Sequence, residues 1–332
     1  METTKKILIF HHSDLDGIGV RIISTIFAKE RGFSYETYKC DYGNVNEKVT
    51  DILDNTDISE IEMIIIGDIS VDERVAQRLQ GLYETNINIV LRDHHATAEW
   101  LNKYEWALVT ETVNSIPRCG TWLLHKKLGS DTKLDKFVDT VDDWDTWKWV
   151  ENDNYAAKKL NSLLQIIGAD DFTDNIINCG DILTDSDMFP EWAQHYIAAH
   201  TLLVEKQARN CERSMYTTDL SVRGTNKFYK TGFVFCNSDI SDVANIILEN
   251  NPEIDILVLF GFPSHISLRT RKSLDIELGS LAEILTGEGG GHPKSAGSRI
   301  TSDQFKLILT RAIKDLSRND IEITKLDKFR KE

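Results

Sequence analysis

Residues 5–32 read KKILIFHHSDLDGIGVRIISTIFAKERG. The apolar run at 5–10 is short and ends in a cluster of polar residues, which is typical of a buried parallel strand. The amphipathic stretch at 17–32 predicts a helix that Gly32 terminates. This segment therefore predicts a strand followed directly by a helix, with polar side chains in the turn between them.

Two further apolar runs continue this pattern. EMIIIGDIS at 62–70 and NINIVLRDHH at 86–95 both end in polar residues, and the stretch between them, 71–84, predicts a helix. Strands that alternate with helices at this spacing indicate an α/β domain with a parallel sheet. Because ligands of such sheets bind beyond the carboxyl ends of the strands, we expect the functional site there.

Each of the three predicted strands ends in side chains that can bind a metal ion. They are His11, His12, Asp14 and Asp16 after the first strand, Asp68 in the second, and Asp93, His94 and His95 in the third. Divalent ions such as Mn²⁺ accept mixed carboxylate and imidazole ligands. Each motif also has a structural explanation, because Asp residues commonly form Asx-turns and helix N-caps. Asp93 could instead orient a metal-binding imidazole, as carboxylates often do.

A further acidic segment, VDDWDTW at 141–147, places Asp142, Asp143 and Asp145 among aromatic residues. Taken alone, it could equally be the solvated face of a helix.

A glycine run precedes His292 in GEGGGHPKSAG, residues 287–297. Backbone N–H groups of consecutive glycines can approach an anion closely, although many glycine runs are only flexible loops. Upstream of this run, Arg269, Arg271 and Lys272 offer cations for a phosphate.

The remaining segments predict two domains joined by a helix. The stretches 119–129 and 132–149 have helical composition, and a later long stretch without Gly or Pro predicts a connecting helix. Beyond it, short apolar runs alternate with helical stretches, which indicates a second, smaller α/β domain. The predicted limits are 1–190 for the first domain, 191–215 for the connecting helix and 216–332 for the second domain.

The charge of the chain is strongly asymmetric. The chain has 332 residues and a net charge of −15, and residues 216–332 are neutral by count, so the first 215 residues carry the whole excess. Such an acidic protein is unsuited to coating long nucleic acid through a basic surface.

The cysteines and apolar runs indicate a cytoplasmic protein. The five cysteines are dispersed and form no C-x-x-C pair, which argues against a disulfide framework. No apolar run approaches the roughly 20 residues of a membrane span, and the N-terminus does not resemble a signal peptide.

The order of these motifs resembles that of the DHH phosphoesterase superfamily. DLDG at 14–17, Asp68, DHH at 93–95, the acidic aromatic segment and GGGH at 289–292 follow one another as they do in that family. The resemblance is closest to the subgroup with a DHH-associated C-terminal domain, which includes RecJ-type exonucleases, nanoRNases and cyclic-dinucleotide phosphodiesterases. It covers residues 5–300, and five motifs in order are specific although each alone is weak.

The resemblance implies a site for two divalent cations, Mn²⁺ or alternatively Mg²⁺, with Asp68 bridging them. The implied metal ligands are His12, Asp14, Asp16, Asp68, His94 and Asp143. The residues implied to act in catalysis are Asp68, Asp93 and His95, of which His95 faces the substrate phosphate. The residues implied to hold the substrate together with His95 are Arg269, Gly290, Gly291 and His292.

Two positions depart from the family pattern. Many members have a His where this chain has Phe10. His12 is expected to replace an Asp ligand of RecJ-type members, with His11 as the alternate. In the acidic aromatic segment, Asp143 is the favoured metal ligand because of its spacing to Trp147, and Asp142 is the second choice.

The function implied by the resemblance is hydrolysis of short single-stranded oligonucleotides to mononucleotides. The absence of a basic run favours substrates of two to a few nucleotides over long strands. The alternatives are a RecJ-like exonuclease for single-stranded DNA, a phosphodiesterase for cyclic or linear signalling dinucleotides, and a non-enzymatic nucleotide-binding scaffold, which the intact motifs disfavour. The sequence leaves the oligomeric state open between monomer and homodimer.

Overall fold

The structure of the protein is a computed structural model. It describes residues 5–129, 132–179, 189–221, 228–262, 264–271, 273–274, 276–286, 289–292, 294–301 and 303. The chain divides into two compact units between His200 and Thr201, inside a long helix.

The N-terminal unit is built on a parallel sheet of five strands. They are β1 (Lys6–His11), β2 (Ser34–Lys39), β3 (Ile61–Gly67), β4 (Asn88–Asp93) and β5 (Ala107–Val109). The strands pair in the order β2-β1-β3-β4-β5, and every pair is parallel. The three strands predicted from the sequence are β1, β3 and β4. The edge strands β2 and β5 are too polar or too short to be recognised in the sequence. A two-stranded ribbon follows, formed by β6 (Thr112–Val113) and β7 (Ile116–Pro117).

Helices cover both faces of this sheet. The helices of the N-terminal unit are α1 (Leu15–Glu30), α2 (Val45–Asp54), α3 (Glu73–Glu84), α4 (Gly120–Leu128), α5 (Asp135–Asp145), α6 (Tyr155–Ile167), α7 (Ala169–Cys179) and the first part of the long α8 (Glu191–Arg213). Short 3₁₀ helices occupy Ile58–Glu60, Ala96–Lys103 and Thr132–Leu134. Among the residues that the structure describes, none of the helices combines the length and the apolar composition that a bilayer crossing requires.

Apolar side chains of the strands pack against helices on both faces of the sheet. In β1, Ile7 and Ile9 pack with α1 on one face, whereas Leu8 and Phe10 pack with α2 and α3 on the other. All four side chains are fully buried. Because successive residues of a strand point to opposite faces, a continuous apolar run is what a sheet covered on both sides requires.

The predicted helix at 132–149 is shorter in the structure. It ends as α5 at Asp145, and Trp147 has a left-handed backbone with a φ of 59°. A bulky residue in this conformation is strained and cannot continue a right-handed helix. The helix therefore stops directly after its last acidic residue.

The C-terminal unit contains a mixed sheet of six strands. They are β8 (Tyr216–Ser221), β9 (Phe228–Phe235), β10 (Ile256–Gly261), β11 (His265–Thr270), β12 (Gly289–His292) and β13 (Ser295–Arg299), and its helices besides the end of α8 are α9 (Ile240–Asn250) and α10 (Leu278–Thr286). The order is β12-β13-β11-β10-β9-β8, in which β9 and β10 are parallel and the other pairs antiparallel. The predicted second, smaller α/β domain is confirmed.

The glycine run of this unit forms β12 rather than a flexible loop. Gly290 pairs with Gly297 of β13. A side chain at Gly289 would begin 2.5 Å from the backbone carbonyl carbon of Ala282 in α10. This close approach of helix and strand requires glycine.

Candidate metal centre

The carboxyl ends of β1, β3 and β4 lie together at one edge of the parallel sheet, and their polar residues meet there. Ligand atoms of His12, Asp14 and Asp68 lie within 4.8 Å of one another. Nδ1 of His12 is 2.9 Å from Oδ2 of Asp14 and 3.6 Å from Oδ2 of Asp68. One imidazole and two carboxylates from two strand ends thus converge on one point.

A second group of ligand atoms lies beside the first. It consists of Asp16, His94 and Asp145. Nε2 of His94 is 3.8 Å from Oδ2 of Asp16 and 3.4 Å from Oδ2 of Asp145. The same nitrogen is 3.4 Å from Oδ1 of Asp68.

Asp68 therefore lies between the two groups, with one carboxylate oxygen toward each. Its side chain is buried, and neither oxygen has a hydrogen-bond partner among the residues that the structure describes. Burial, followed by the charges of Asp14 and Asp16, raises the pKa of Asp68 well above its usual range. The backbone of Asp68 is also left-handed, with a φ of 55°. An unpaired buried carboxylate is costly unless a cation compensates it.

These observations show that the donor set fits a divalent cation. Besides Asp68, Oδ2 of Asp145 is buried without a hydrogen-bond partner among the described residues, and burial raises the pKa of Asp145, with the charge of Asp16 as the next cause. Carboxylates that repel one another in this way are held in place by a positive ion. Mixed oxygen and imidazole donors suit Mn²⁺ and related ions.

Asp16 is fixed by the N-terminus of α4. Its two carboxylate oxygens accept hydrogen bonds from the backbone N–H groups of Gly120 and Thr121, both at 2.7 Å. The N–H groups at a helix N-terminus favour a negative charge. A side chain at Gly120 would begin 2.9 Å from the backbone nitrogen of Asp68 and 3.0 Å from Oδ2 of Asp16, so this position requires glycine. Gly120 lies near the start of the helix predicted at 119–129, but its role beside Asp16 and Asp68 carries no signal in the sequence.

Asp93 positions the neighbouring histidines. Its Oδ1 accepts hydrogen bonds from the backbone N–H of His94 and from Nδ1 of His95, both at 2.7 Å, while Ser70 Oγ donates to its Oδ2. Burial, the largest single cause, opposes ionisation of Asp93, but the hydrogen bonds from His95 and Ser70 and the charges of His95 and His94 together outweigh it, and the pKa of Asp93 is lowered. With its oxygens engaged, Asp93 orients His95, as a second carboxylate often orients an imidazole.

Tyr42, in the loop after β2, was not identified from the sequence. Its hydroxyl lies 2.9 Å from Nε2 of His95. Burial and the charge of Asp68 raise the pKa of Tyr42, so the phenol stays protonated. An isolated tyrosine outside the strand-end motifs carries no signal in a single sequence.

In the acidic aromatic segment, the structure brings a carboxylate oxygen of Asp145, and not of Asp143, close to Asp16 and His94, so that Asp145 is the residue of this segment placed to bind a metal. Asp143 accepts hydrogen bonds from the side-chain amides of Asn152 and Asn154. Residues two positions apart on a helix point about 160° apart, so the carboxylates of Asp143 and Asp145 face opposite sides of α5.

The second choice, Asp142, is also engaged elsewhere. Its carboxylate accepts from Arg118 Nη1 at 2.7 Å, from Lys148 Nζ at 2.6 Å and from the backbone N–H of Cys119 at 2.8 Å. It therefore anchors the segment that leads into α4.

His12 and His11 occupy different environments. His12 lies in the first group of ligand atoms. His11 is buried, its Nδ1 contacts the backbone oxygen of His12 at 2.7 Å, and burial lowers its pKa to about 4. Phe10 stacks on Tyr38 at 5.0 Å between ring centroids. The geometry favours His12 as the ligand.

The predicted substrate-holding residues of the second domain lie in the C-terminal unit. Arg269 is largely buried and donates to the backbone oxygen of Leu268 at 2.9 Å and to Ser241 Oγ at 3.2 Å. Burial lowers the pKa of Arg269 to about 10. Gly291 pairs with Ala296 in the β12–β13 ladder.

Two polar residues of this region are not described in full. The side chain of His292, the last residue of β12, lies outside the described part of the structure, and so does Lys272.

Comparisons with known proteins identify relatives along most of the chain. No family model matches it. The chain is 27% identical to oligoribonuclease NrnB of Bacillus subtilis (strain 168) over 317 residues, which cover 92% of this chain and 76% of that protein. It is 24% identical to a 3′,5′-cyclic-nucleotide phosphodiesterase of Helicobacter pylori (strain ATCC 700392 / 26695), with 88% of this chain and 92% of that protein covered.

A solved structure of exonuclease RecJ bound to manganese has a similar fold. The TM-score is 0.53 at 14% sequence identity, and the match covers 96% of this chain and 91% of that chain. The predicted fold class is thereby confirmed. Together with the two sequence relatives, this similarity confirms the resemblance of the motifs to the DHH phosphoesterase superfamily.

Proposed function

We propose that this chain, a member of the DHH phosphoesterase superfamily, is a two-metal phosphodiesterase that hydrolyses short single-stranded oligonucleotides to mononucleotides. The observation that carries the proposal is the position of Asp68 between two groups of ligand atoms, with one unpaired oxygen toward each. Such a carboxylate can hold two cations side by side. We propose Mn²⁺ for both, with Mg²⁺ as the alternative, because the donors include imidazoles.

When bound, paired divalent cations supply a water of lowered pKa and a Lewis acid for the phosphate oxygens. The protein's own residues fix the geometry of this centre. His12 and Asp14 hold one position, and His94 with Asp16 and Asp145 hold the other. Because α4 anchors Asp16 through two backbone N–H groups, this carboxylate needs little rearrangement.

His95 contributes to the phosphate side of the site. Asp93 holds its Nδ1 at 2.7 Å, which leaves Nε2 directed away from Asp93. An imidazole fixed in this way can stabilise charge that develops on a phosphate oxygen. In the C-terminal unit, Arg269, Gly290, Gly291 and His292 remain the proposed substrate-holding residues.

The charge distribution supports short substrates. The first 215 residues carry the net −15, and the remainder is neutral by count. Phosphates beyond the cleavage site would therefore meet repulsion rather than a basic track. A RecJ-like activity on long single-stranded DNA is the alternative that this distribution disfavours.

A second candidate substrate class is cyclic dinucleotides or the linear dinucleotides derived from them. The similarity to a protein named 3′,5′-cyclic-nucleotide phosphodiesterase supports this substrate class as a candidate. The same metal centre would serve both classes, since only the pocket for the bases and sugars differs. A binding scaffold without catalysis is disfavoured by the carboxylate and imidazole ligand atoms that lie together around Asp68.

One assay separates these functions. The purified protein is incubated with Mn²⁺ and labelled oligonucleotides of two to about twenty residues, and in parallel with cyclic dinucleotides, and the products are resolved. We expect mononucleotide products and rates that fall as the strand lengthens, with little effect of salt on dinucleotides. A preference for strands longer than about ten residues that moderate salt abolishes would support the RecJ-like alternative.

Removal of divalent metal is expected to abolish hydrolysis. Without cations, the clustered carboxylates at Asp68 repel an anionic phosphate, and no activated water is present. The measurement is turnover of a dinucleotide after chelation and dialysis, followed by re-addition of ions, with Mn²⁺ expected to restore more activity than Mg²⁺. Full turnover in protein verified to be metal-free would contradict the proposed mechanism.

A cytoplasmic location and a monomeric or homodimeric state stay predictions from the sequence. Size-exclusion chromatography with light scattering of the metal-loaded protein distinguishes the two oligomeric states.

A further inference from the structure

Tyr42 stands at the candidate metal centre although no metal-binding motif includes it. Its hydroxyl oxygen is 2.9 Å from Nε2 of His95. Its ring centroid lies 5.2 Å from the ring of His12 and 5.7 Å from the ring of His95, which it meets edge to face. A single side chain thus contacts histidines from two different strand ends.

The turn that carries Tyr42 is held by its own polar groups. Asp41 accepts hydrogen bonds from the backbone N–H of Gly43 and from the side-chain amide of Asn44, both at 2.9 Å. In return, the backbone N–H of Asp41 donates to Oδ1 of Asn44 at 3.0 Å. Such Asx-type turns restrict the backbone. The position of Tyr42 is therefore preorganised.

Tyr42 is largely exposed, at 61%, although its hydroxyl contacts a site residue. A large exposed aromatic side chain with a polar tip directed into a site is typical of a residue that meets a ligand. Packing of the core does not explain this placement, because the ring contributes to neither apolar cluster of the N-terminal unit.

We propose that the hydroxyl of Tyr42 donates a hydrogen bond to a non-bridging oxygen of the scissile phosphate, beside Nε2 of His95. This inference rests on the proposed function. Because the hydroxyl and Nε2 are 2.9 Å apart, one phosphate oxygen can lie within hydrogen-bond distance of both. Without substrate the two groups bond to each other, and the phosphate replaces that bond.

The hydroxyl suits this role because it can both donate and accept. In the free protein the hydroxyl can form a hydrogen bond with Nε2 of His95 in either tautomer: it donates when Nε2 is unprotonated and accepts when Nε2 carries the proton. A donor that is already positioned where negative charge develops stabilises the transition state without reorganisation, and such groups contribute about 10²–10³-fold to turnover. Tyr42 is thus a catalytic residue of the proposed site, in addition to those that the motifs contain.

The test is Tyr42→Phe, which removes the hydroxyl and keeps the ring. We expect kcat for a dinucleotide to fall about 100- to 1,000-fold, with KM, metal content and thermal stability near those of the wild type. The matched control is Tyr38→Phe, since Tyr38 lies in the preceding strand and its hydroxyl bonds to Glu36, away from the ligand atoms. The control is expected to retain wild-type kcat.

A double-mutant cycle with His95→Ala separates direct contact from an effect through the histidine. If Tyr42 touches the phosphate, Tyr42→Phe still lowers kcat at least about threefold in the His95→Ala background. No further loss in that background would overturn the inference and leave Tyr42 as a residue that only positions His95. Wild-type kcat in Tyr42→Phe would also overturn it, while the wild type's own turnover would keep the proposed function intact. A wild-type protein with no phosphodiesterase turnover would instead refute the proposed function.

Discussion

Asp68→Asn is expected to lower phosphodiester hydrolysis by more than about 10³-fold, the upper end for losing one electrostatic group of an active site. Asp68 offers one oxygen to each group of ligand atoms, so its replacement weakens both cation positions together. Asn is preferable to Ala at this position because the backbone φ is 55°, and Asn tolerates the left-handed region better than Ala does. The measurement is kcat/KM on a dinucleotide together with the metal content of the purified variant.

The same substitution is expected to stabilise the metal-free protein. Asp68 is buried without a hydrogen-bond partner among the described residues, and its raised pKa reflects burial and repulsion by Asp14 and Asp16. Asn keeps a buried polar group at this position but removes the like-charge repulsion by Asp14 and Asp16, so the midpoint of thermal unfolding is expected to rise. Thermal unfolding of both proteins without metal checks this, and the wild type alone is expected to gain markedly when Mn²⁺ is added.

A control for Asp68→Asn lies in the following helix. Asp72 is the N-cap of α3, where its side chain accepts a hydrogen bond from the backbone N–H of Val75 at 2.9 Å. Asn caps helices about as well as Asp, so Asp72→Asn should keep both stability and activity. Wild-type rates in Asp68→Asn would refute the two-metal assignment.

Asp145→Asn is expected to reduce kcat about 10²- to 10³-fold and to weaken metal binding, whereas Asp143→Asn is expected to stay within about threefold of the wild type. The two residues belong to the same helix and undergo the same chemical change, so each serves as the control for the other. Asp145 lies 3.4 Å from Nε2 of His94, while Asp143 bonds to the amides of Asn152 and Asn154. The measurements are metal titration by calorimetry and steady-state kinetics.

The reverse result would restore the ligand inferred from the sequence. If Asp143→Asn lost metal and activity and Asp145→Asn did not, the direction of the C-terminal turn of α5 would differ from the one described. A loss of thermal stability in Asp143→Asn without loss of activity is compatible with its two hydrogen bonds to the loop after α5.

The residues at the strand ends were predictable because periodicity and position suffice to bring them together. Short apolar runs that end in Asp or His indicate parallel strands, and the carboxyl ends of such strands share one edge of the sheet. His12, Asp14, Asp16, Asp68 and His94 meet in the structure for this reason. The order of their motifs also indicated the superfamily.

The contribution of α5 was not predictable at the level of one residue. The segment offers three carboxylates: Asp142 and Asp145, three residues apart, share one face of the helix, and Asp143 lies on another. Asp142 is held by Arg118 and Lys148, which leaves Asp145 to face the site. Which one faces the site depends on the rotation of α5 about its axis. That rotation is set by packing, with Phe137, Val138 and Val141 buried in the core.

Two further residues of the site, Gly120 and Tyr42, were identified only from their contacts in the structure. Gly120 is required because the N-terminus of α4 approaches Asp16 and Asp68 too closely for a side chain. Tyr42 reaches His95 because the turn after the edge strand β2 directs it there. Neither relation has a signature in the spacing of the sequence, since both join segments that are distant along the chain.

The sequence by itself therefore determined the class of fold, the edge of the sheet that bears the site and most of the chemistry available there. Those properties follow from local patterns, namely alternation of strands and helices and the residue types at strand ends. The tertiary structure decided which carboxylate of α5 completes the second group, that Asp68 lies between the groups, and that Asp16, His95 and Tyr42 are held by partners elsewhere in the N-terminal unit. These are distances of a few ångströms between remote segments, and only the packing of the whole unit fixes them.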